Sequence, residues 1–189
     1  MTQIWVFAVM MIVLQNCSIF VKKPLIDDKK AIHSWQIDGR ISIVPSQGEA
    51  MQGGLSWVQN KHNFSLSLSG PFGQGGVKIT QTAQQPIMVK TAEAEYQTDA
   101  PERWMEENFG WSVPVDALRY WVLGEAKPDV GFQKKFDADG NLVQLIQADW
   151  VVDFKRYQQV QGVHLPVKIF MQHPQMKVRL VIGEWFLSP

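Results

Sequence analysis

The sequence has little cysteine, no excess charge of either sign and no apolar run long enough to cross a bilayer. One cysteine among 189 residues excludes a disulfide framework within the chain and a cysteine-rich zinc site. Eighteen basic residues balance eighteen acidic ones, so the basic excess that phosphate neutralisation requires is absent and no nucleic-acid partner is predicted. Apolar residues make up 46% of the chain and charged residues only 19%, which argues against an intrinsically disordered protein.

Recognisable catalytic motifs are also missing. The sequence contains no G-x-S-x-G, no H-E-x-x-H and no glycine-rich loop ending in Gly-Lys-Ser/Thr. The acidic segment at residues 137–141 (DADGN) lacks the remaining ligands and the closing glutamate of a calcium loop, so it predicts a strand-joining turn. The four histidines are scattered, with none at metal-ligand spacing: His33, His62, His164 and His173. We therefore predict no enzyme activity, no metal and no cofactor.

The N-terminus carries one apolar run, at residues 4–14 (IWVFAVMMIVL). Eleven residues are too few for a transmembrane helix, which needs about 20, but they suit the core of a signal peptide. The only cysteine, Cys17, follows just after this core, where a bacterial lipoprotein signal has its lipidated cysteine. Leu14 fits that signal, whereas Asn16 stands where glycine or alanine is usual. The alternative is an ordinary cleaved signal peptide with an incidental Cys17.

Three segments are predicted along the chain. Residues 1–16 are expected to be the signal peptide and residues 17–30 a lipid-anchored flexible tether, which is polar and contains Pro24. Residues 31–189 are expected to form one domain, because no internal repeat and no second change of composition is present.

Hydrophobic residues recur with period two over most of this domain, which predicts about ten short strands in an antiparallel barrel or sandwich. Residues 64–69 (FSLSLS) alternate most cleanly. Between residues 98 and 124 the period becomes helical. Thr98 or Asp99 is a candidate cap for a helix with Pro101 at its first position, and a second helix is expected near Pro114, capped by Ser112 and stopped by Gly124. The fold class is therefore α+β.

A glycine-rich loop at residues 69–76 (SGPFGQGG) contains one bulky apolar residue, Phe72. Glycines usually mark tight turns, so Phe72 could fold back onto the core of a hairpin. The functional interpretation is that the loop projects Phe72 outward as a wedge for a membrane or a ligand.

Four segments of the chain, in order behind a lipoprotein-like signal, resemble the outer-membrane lipoprotein receptor family LolB. The likeness extends over about residues 33–187, and its most specific part is residues 110–124. The segments are residues 66–73 (LSLSGPFG), 110–124 (GWSVPVDALRYWVLG), 145–150 (LIQADW) and 183–187 (GEWFL).

The resemblance implies a half-open antiparallel β-barrel under a lid of short helices that encloses an apolar cavity. It implies a monomer held by its lipid on the periplasmic side of the outer membrane. Such a receptor accepts acylated lipoproteins from the periplasmic carrier LolA and places them in the outer-membrane lipid. Phe72 matches the exposed apolar residue of a protruding loop needed for that last step, although the family often has leucine there.

Large apolar side chains suit a cavity for acyl chains, because they offer wide or adaptable contact. Residues on the apolar phase of their own elements are expected to face the barrel interior: Trp57, Leu66, Leu68, Trp121, Trp150, Val152 and Leu180. Ordinary core packing is the alternative for each of them. Two other classes of protein stay open, a soluble LolA-like carrier of acylated ligands and an enzyme that acts on lipids.

Overall fold

The computed structural model describes residues 29–70, 76–83 and 85–188. A 3₁₀ turn, Lys29–Ala31, opens this part of the chain and overlaps the last two residues of the predicted tether. Eleven strands follow, with two helices between the sixth and the seventh. The strands are β1 Ser34–Pro45, β2 Met51–Asn60, β3 Asn63–Ser69, β4 Gly76–Gln81, β5 Ile87–Lys90, β6 Glu95–Thr98, β7 Phe132–Phe136, β8 Leu142–Gln147, β9 Trp150–Val160, β10 Val163–His173 and β11 Met176–Ser188.

All eleven strands belong to one sheet in which every neighbouring pair is antiparallel. Their order is β6-β5-β4-β3-β2-β1-β11-β10-β9-β8-β7, so the sheet is unclosed and its edges are β6 and β7. Most neighbours are consecutive along the chain, as hairpins require. The exception is β1, which pairs with β2 on one side and with the last strand, β11, on the other. The pairing of β1 with β11 joins the two halves of the sheet.

The period-two pattern of the sequence becomes the inner face of this sheet. In β1 the side chains of Trp35, Ile37, Ile41 and Ile43 are all buried, whereas the residues between them are more exposed. Because successive side chains of a strand point to opposite faces, this alternation places one apolar face on the core. The prediction of an antiparallel strand-rich α+β fold is confirmed, and β6 is a strand that the sequence pattern did not predict.

Two glycines allow strands to approach more closely than a side chain would permit. A Cβ added at Gly39 would lie 2.3 Å from the carbonyl oxygen of Val181, beside the point where the β1–β11 register shifts. A Cβ added at Gly53 would lie 1.7 Å from the carbonyl oxygen of Ser69. A register shift such as the one at Gly39 bends a strand and increases its twist, which lets a large sheet curl around its core.

Helix α1, Pro101–Phe109, has Pro101 at its first position, as predicted, because proline has no N–H to leave unpaired there. The predicted cap is wrong. The residue at the cap position is Ala100, which offers no side-chain oxygen, and the hydroxyl of Thr98 instead accepts a hydrogen bond from the Ala100 N–H at 3.0 Å. The helix ends at Gly110, whose φ of 72° is in the left-handed region that suits glycine.

Helix α2, Val115–Trp121, starts directly after Pro114, so Ser112 is not its cap either. Gly124, with φ of 77°, lies in the turn that follows the helix, where the sequence predicts that the helix ends. The two helices together lead the chain from one edge of the sheet to the other. Trp104 of α1 lies against Tyr96 of β6, with ring centroids 5.4 Å apart, and Trp121 of α2 lies 5.8 Å from Trp150 of β9.

Neither helix of the described chain is long and apolar enough to cross a bilayer.

Candidate functional site

The seven residues predicted to face the barrel interior are all buried, with exposed fractions between 0 and 6%. They belong to one hydrophobic cluster, which joins the inner face of the sheet to residues of both helices. The cluster is packed in the structure. Contact of these side chains with an acyl chain stays a prediction. The residues are Trp57, Leu66, Leu68, Trp121, Trp150, Val152 and Leu180.

Trp121 is attached to the sheet by a hydrogen bond as well as by packing. Its indole N–H donates to the side-chain oxygen of Gln147 at 2.9 Å, and the same oxygen accepts the backbone N–H of Lys127 at 2.9 Å. The amide nitrogen of Gln147 donates to the carbonyl oxygens of Lys127 and Val130 at 2.9 and 3.0 Å. One buried side chain of β8 therefore holds both the end of α2 and the loop that follows it.

A second aromatic group lies where β1, β2 and β11 meet. The ring centroids of Trp35 and Trp57 are 5.1 Å apart, and those of Trp35 and Trp185 are 5.7 Å apart. The buried Gln59 accepts the Trp57 indole N–H at 3.2 Å and donates to the carbonyl oxygen of Lys61 at 2.7 Å. This chain of hydrogen bonds connects the aromatic group to the turn between β2 and β3.

An open cavity of about 590 Å³, named here the rim cavity, is lined by one member of this group, Trp35. Its floor is apolar, and basic side chains and histidines surround it. Sequence reasoning did not identify this cavity, and none of the seven predicted interior residues lines it. It is lined by Lys29, Ile32, His33, Trp35, Gln59, Lys61, His62, Arg119, Tyr120, Leu123, Glu125, Ala126 and Pro128.

The charges around the rim cavity are mostly positive. Burial lowers the pKa of the Lys29 ammonium, an effect that Glu125 opposes and Lys134 reinforces. Glu125 itself is paired with Lys134 at 3.0 Å. Arg119 is paired with Asp116 at 2.7 Å, but its buried Nε has no hydrogen-bond partner among the described residues. The cavity thus combines an apolar floor with basic side chains whose positive charges are only partly neutralised by acidic neighbours.

The inner face at the β7 edge carries two exposed aromatic side chains, Phe132 and Phe136, with exposed fractions of 54 and 55%. Together with Tyr157 and His164 they line a second open cavity of about 570 Å³, which shares Lys29 with the rim cavity. The hydroxyl of Tyr157 donates to the carbonyl oxygen of Leu142 at 2.7 Å, and burial raises the pKa of this phenol.

Residues 137–141 form the turn between β7 and β8, as predicted. The Asp137 carboxylate accepts backbone N–H groups from Asp139 and Asn141 at 3.0 and 2.8 Å. These hydrogen bonds, those from Asn141 foremost, lower the pKa of the Asp137 carboxyl group. In the part of the chain that the structure describes, no three histidine, cysteine or acidic residues are grouped as metal ligands.

Two residues that the sequence singled out, Cys17 and Phe72, lie outside the described residues. Their predicted roles therefore stay predictions.

The fold is an unclosed antiparallel sheet whose two edge strands are connected along the chain by two helices. Solved proteins share this class of fold. A LolA superfamily protein from Nitrosomonas europaea superposes with a TM-score of 0.53 at 11% identity, over 84% of this chain and 88% of that one. A DUF1329 family protein from Desulfovibrio piger gives a TM-score of 0.54 at 7% identity, over 85% and 88%. These likenesses identify the fold alone.

Sequence comparison identifies the family. A family model described as outer membrane lipoprotein LolB matches residues 33–185. The outer-membrane lipoprotein LolB of Pseudomonas fluorescens is 33% identical over 159 residues, which cover 84% of this chain and 77% of that protein. The LolB of Nitrosococcus oceani is 33% identical over 158 residues, which cover 83% and 78%. The chain belongs to the LolB family.

Proposed function

We propose that this protein is a receptor at the outer membrane, which accepts acylated lipoproteins from the periplasmic carrier LolA and inserts them into outer-membrane lipid. The observation that carries the proposal is the family match over residues 33–185, which includes nearly the whole sheet and both helices. The relatives are outer-membrane lipoproteins by name, which supports the location. The proposal includes a monomeric protein held on the periplasmic side by its own lipid.

The acyl chains of the cargo are proposed to bind between the inner face of the sheet and the two helices, which serve as a lid. The side chains there are apolar and large, including Trp57, Trp121 and Trp150. Because Trp121 is fully buried, α2 and its neighbours must move for an acyl chain to enter. The acyl chain then covers the apolar surface that this movement exposes. Each CH₂ of the chain that leaves water contributes about 0.8 kcal/mol to binding.

Transfer of this kind needs no covalent chemistry. Its direction follows from affinity, since a ligand moves to the partner that binds it more tightly. The carrier must bind the acyl chains less tightly than the receptor, and the receptor less tightly than the bilayer. An adaptable cavity, in which Met105 and Met171 are buried beside the aromatic side chains, suits cargo whose acyl chains vary in shape.

The anchor is proposed to be a lipid on Cys17, after removal of residues 1–16, with residues 17–30 as tether and residues 31–189 as the lipoprotein-binding domain. One acyl chain binds a membrane only marginally, whereas several hold a protein firmly. Ser18 rather than aspartate follows the cysteine, which fits sorting to the outer membrane. We expect the Cys17→Ala variant to lose lipid and outer-membrane fractionation, as measured by mass spectrometry of the N-terminus and by membrane separation. Normal processing and location of this variant would contradict the anchor.

A soluble LolA-like carrier is the second candidate, because a LolA superfamily protein shares the fold. A reconstituted transfer assay separates the two functions. The LolA–lipoprotein complex is mixed with this protein and with liposomes, and lipoprotein is followed by sedimentation. A receptor takes the lipoprotein from LolA and releases it into the liposomes. A protein that takes up cargo but holds it in solution is a carrier, and a protein that takes up none has neither function.

A further inference from the structure

The rim cavity has the features of a site for one small amphiphile. Its volume of about 590 Å³ lies within the usual range of ligand pockets, about 300–1,000 Å³. The floor consists of the buried side chains of Ile32, Trp35 and Leu123. A ligand that covers the remaining apolar surface of this floor is favoured, because apolar contact replaces contact with water.

The rim on one side of the cavity is formed by the turn between β2 and β3, and it is held in place. The backbone N–H of Lys61 donates to the carbonyl oxygen of His33 at 2.7 Å, and the Lys61 carbonyl accepts from Gln59 at 2.7 Å. Lys61 and His62 are themselves exposed, so their side chains are available to a ligand. A fixed backbone with a free cationic side chain favours binding of an anion, because little additional ordering is needed.

The cavity is also lined by Arg119, whose hydrogen bonding is incomplete. The guanidinium pairs with Asp116 and lies over the Tyr120 ring, with Cζ 4.9 Å from the ring centroid. Its Nε is buried and has no partner within the described part of the chain. A buried donor without an acceptor is unfavourable, so a ligand oxygen that reaches this Nε would be favoured.

The balance of charge around the cavity is positive. Lys29, Lys61 and Arg119 supply three cations, against one lining carboxylate, Glu125, which is already paired with Lys134. Asp116 is likewise shared, between Arg119 and Lys127. Charge complementarity therefore favours a ligand with an anionic group directly beside apolar carbon.

We propose that the rim cavity binds a single anionic phospholipid, with its phosphate between Lys61 and Arg119 and the start of its acyl chains on Trp35 and Leu123. This goes beyond the proposed function, because the ligand is a membrane lipid rather than the acylated cargo. A receptor with such a site contacts the lipid of its target membrane through a specific headgroup contact in addition to an apolar one.

The test is equilibrium binding to the full-length protein by isothermal titration calorimetry, with short-chain dihexanoyl phosphatidylglycerol below its micelle concentration. We expect saturable binding of one lipid. Dihexanoyl phosphatidylcholine, which has no net charge, and inorganic phosphate, which has no acyl chain, should each bind at least about tenfold more weakly. Equal binding of the two lipids, binding of phosphate as tight as that of the anionic lipid, or no saturable binding overturns the proposal.

Two variants locate the site. Lys61→Glu should weaken binding of the anionic lipid by about tenfold or more, whereas Lys177→Glu makes the same change of charge on the exposed outer face of β11 and should have no effect. Equal weakening by both shows nonspecific attraction and overturns the site. Arg119→Lys keeps the positive charge but lacks Nε–H, so unchanged binding by this variant overturns the Nε contact. Lipoprotein transfer from LolA, measured on the same variants, reports the proposed function separately.

Discussion

At the scale of single residues, Gln147 shows how a polar side chain can be buried in this core. Its exposed fraction is 2%, and its amide makes four hydrogen bonds, to the Trp121 indole and to backbone groups of Lys127 and Val130. A fully satisfied buried amide fixes the position of its partners, whereas a partly satisfied one is costly. Gln147 therefore determines where the end of α2 and the following loop lie on the sheet.

We expect Gln147→Leu to lower the free energy of unfolding by about 3 kcal/mol, because it leaves the Trp121 indole and backbone groups of the loop without partners. Gln144→Leu is the matched control on the same strand. Its amide makes one hydrogen bond, to Asp153 on the outer face, and its loss should cost less than about 1 kcal/mol. Urea unfolding measures both. Similar small losses in the two variants would show that the Gln147 network contributes little to stability.

Gly53 illustrates a residue fixed by lack of space. A methyl group there would lie 1.7 Å from the Ser69 carbonyl oxygen, so β2 and β3 must separate to accept it. We expect Gly53→Ala to lower the unfolding free energy by about 1–3 kcal/mol, as overpacking does. Gly131→Ala is the control, because nothing lies within 4 Å of its added Cβ. If the two variants unfold at the same denaturant concentration, the close approach of the strands at Gly53 does not limit stability.

At the scale of elements, the helices depend on the sheet. Helix α2 has seven residues, and isolated helices shorter than about 12–15 residues are marginal in water. Its stability must come from its buried residues and from the Trp121–Gln147 hydrogen bond. An element held in this way can separate from the sheet at moderate cost when a ligand replaces its apolar contacts.

If α1 and α2 form the lid, binding of an acyl chain should loosen them while the central strands stay unchanged. We expect backbone amides of Pro101–Phe109 and Val115–Trp121 to exchange hydrogen faster when a triacylated lipopeptide is bound. Amides of β1 and β11, paired along their whole length, serve as the internal reference. Hydrogen exchange followed by mass spectrometry makes the measurement. Unchanged exchange in both helices would place the acyl chains elsewhere, and slower exchange would show that the helices bind the chain without loosening.

The elements were predictable to different degrees. Alternation in β1 and β3 reports burial of one face, which is a local property of the sequence. Strand β6 (EYQT) lies at an edge of the sheet, and three of its four residues are exposed. It has no apolar alternation, so period two does not predict it. The caps failed for another reason. Thr98 forms a local turn with Ala100 instead of capping α1, and sequence alone does not decide between these uses of a hydroxyl.

At the scale of the whole molecule, the sequence predicted the class of fold but not the arrangement of its ends. Pairing of β1 with β11 joins residues 34–45 to residues 176–188, and nothing local to either strand specifies the other. The rim cavity was missed for the same reason. His33, His62 and Arg119 are far apart in sequence, and only the sheet and the position of α2 bring them together. Buried interior residues were predictable because each lies on the apolar phase of its own element.

Release of a lipoprotein into the membrane concerns the whole molecule, because the proposed acyl-chain site and the membrane contact must face the bilayer together. The loop between β3 and β4 contains Phe72, which we propose inserts into the bilayer. Inserted among acyl chains, a phenylalanine contributes about 1.5–3 kcal/mol, which is modest beside a lipid anchor but enough to orient a protein that is already tethered.

We expect Phe72→Glu to leave folding and uptake of lipoprotein from LolA intact while it blocks release into liposomes, because a carboxylate resists transfer into lipid. Phe72→Leu should remain active, since only apolar bulk is required. Phe186→Glu places the same change on the outer face of β11, where Phe186 is 49% exposed, and should not affect release. The liposome transfer assay measures uptake and release separately for each variant. Normal release by Phe72→Glu would show that the bilayer contact lies elsewhere, and equal loss in Phe186→Glu would mean that added negative charge alone repels the membrane.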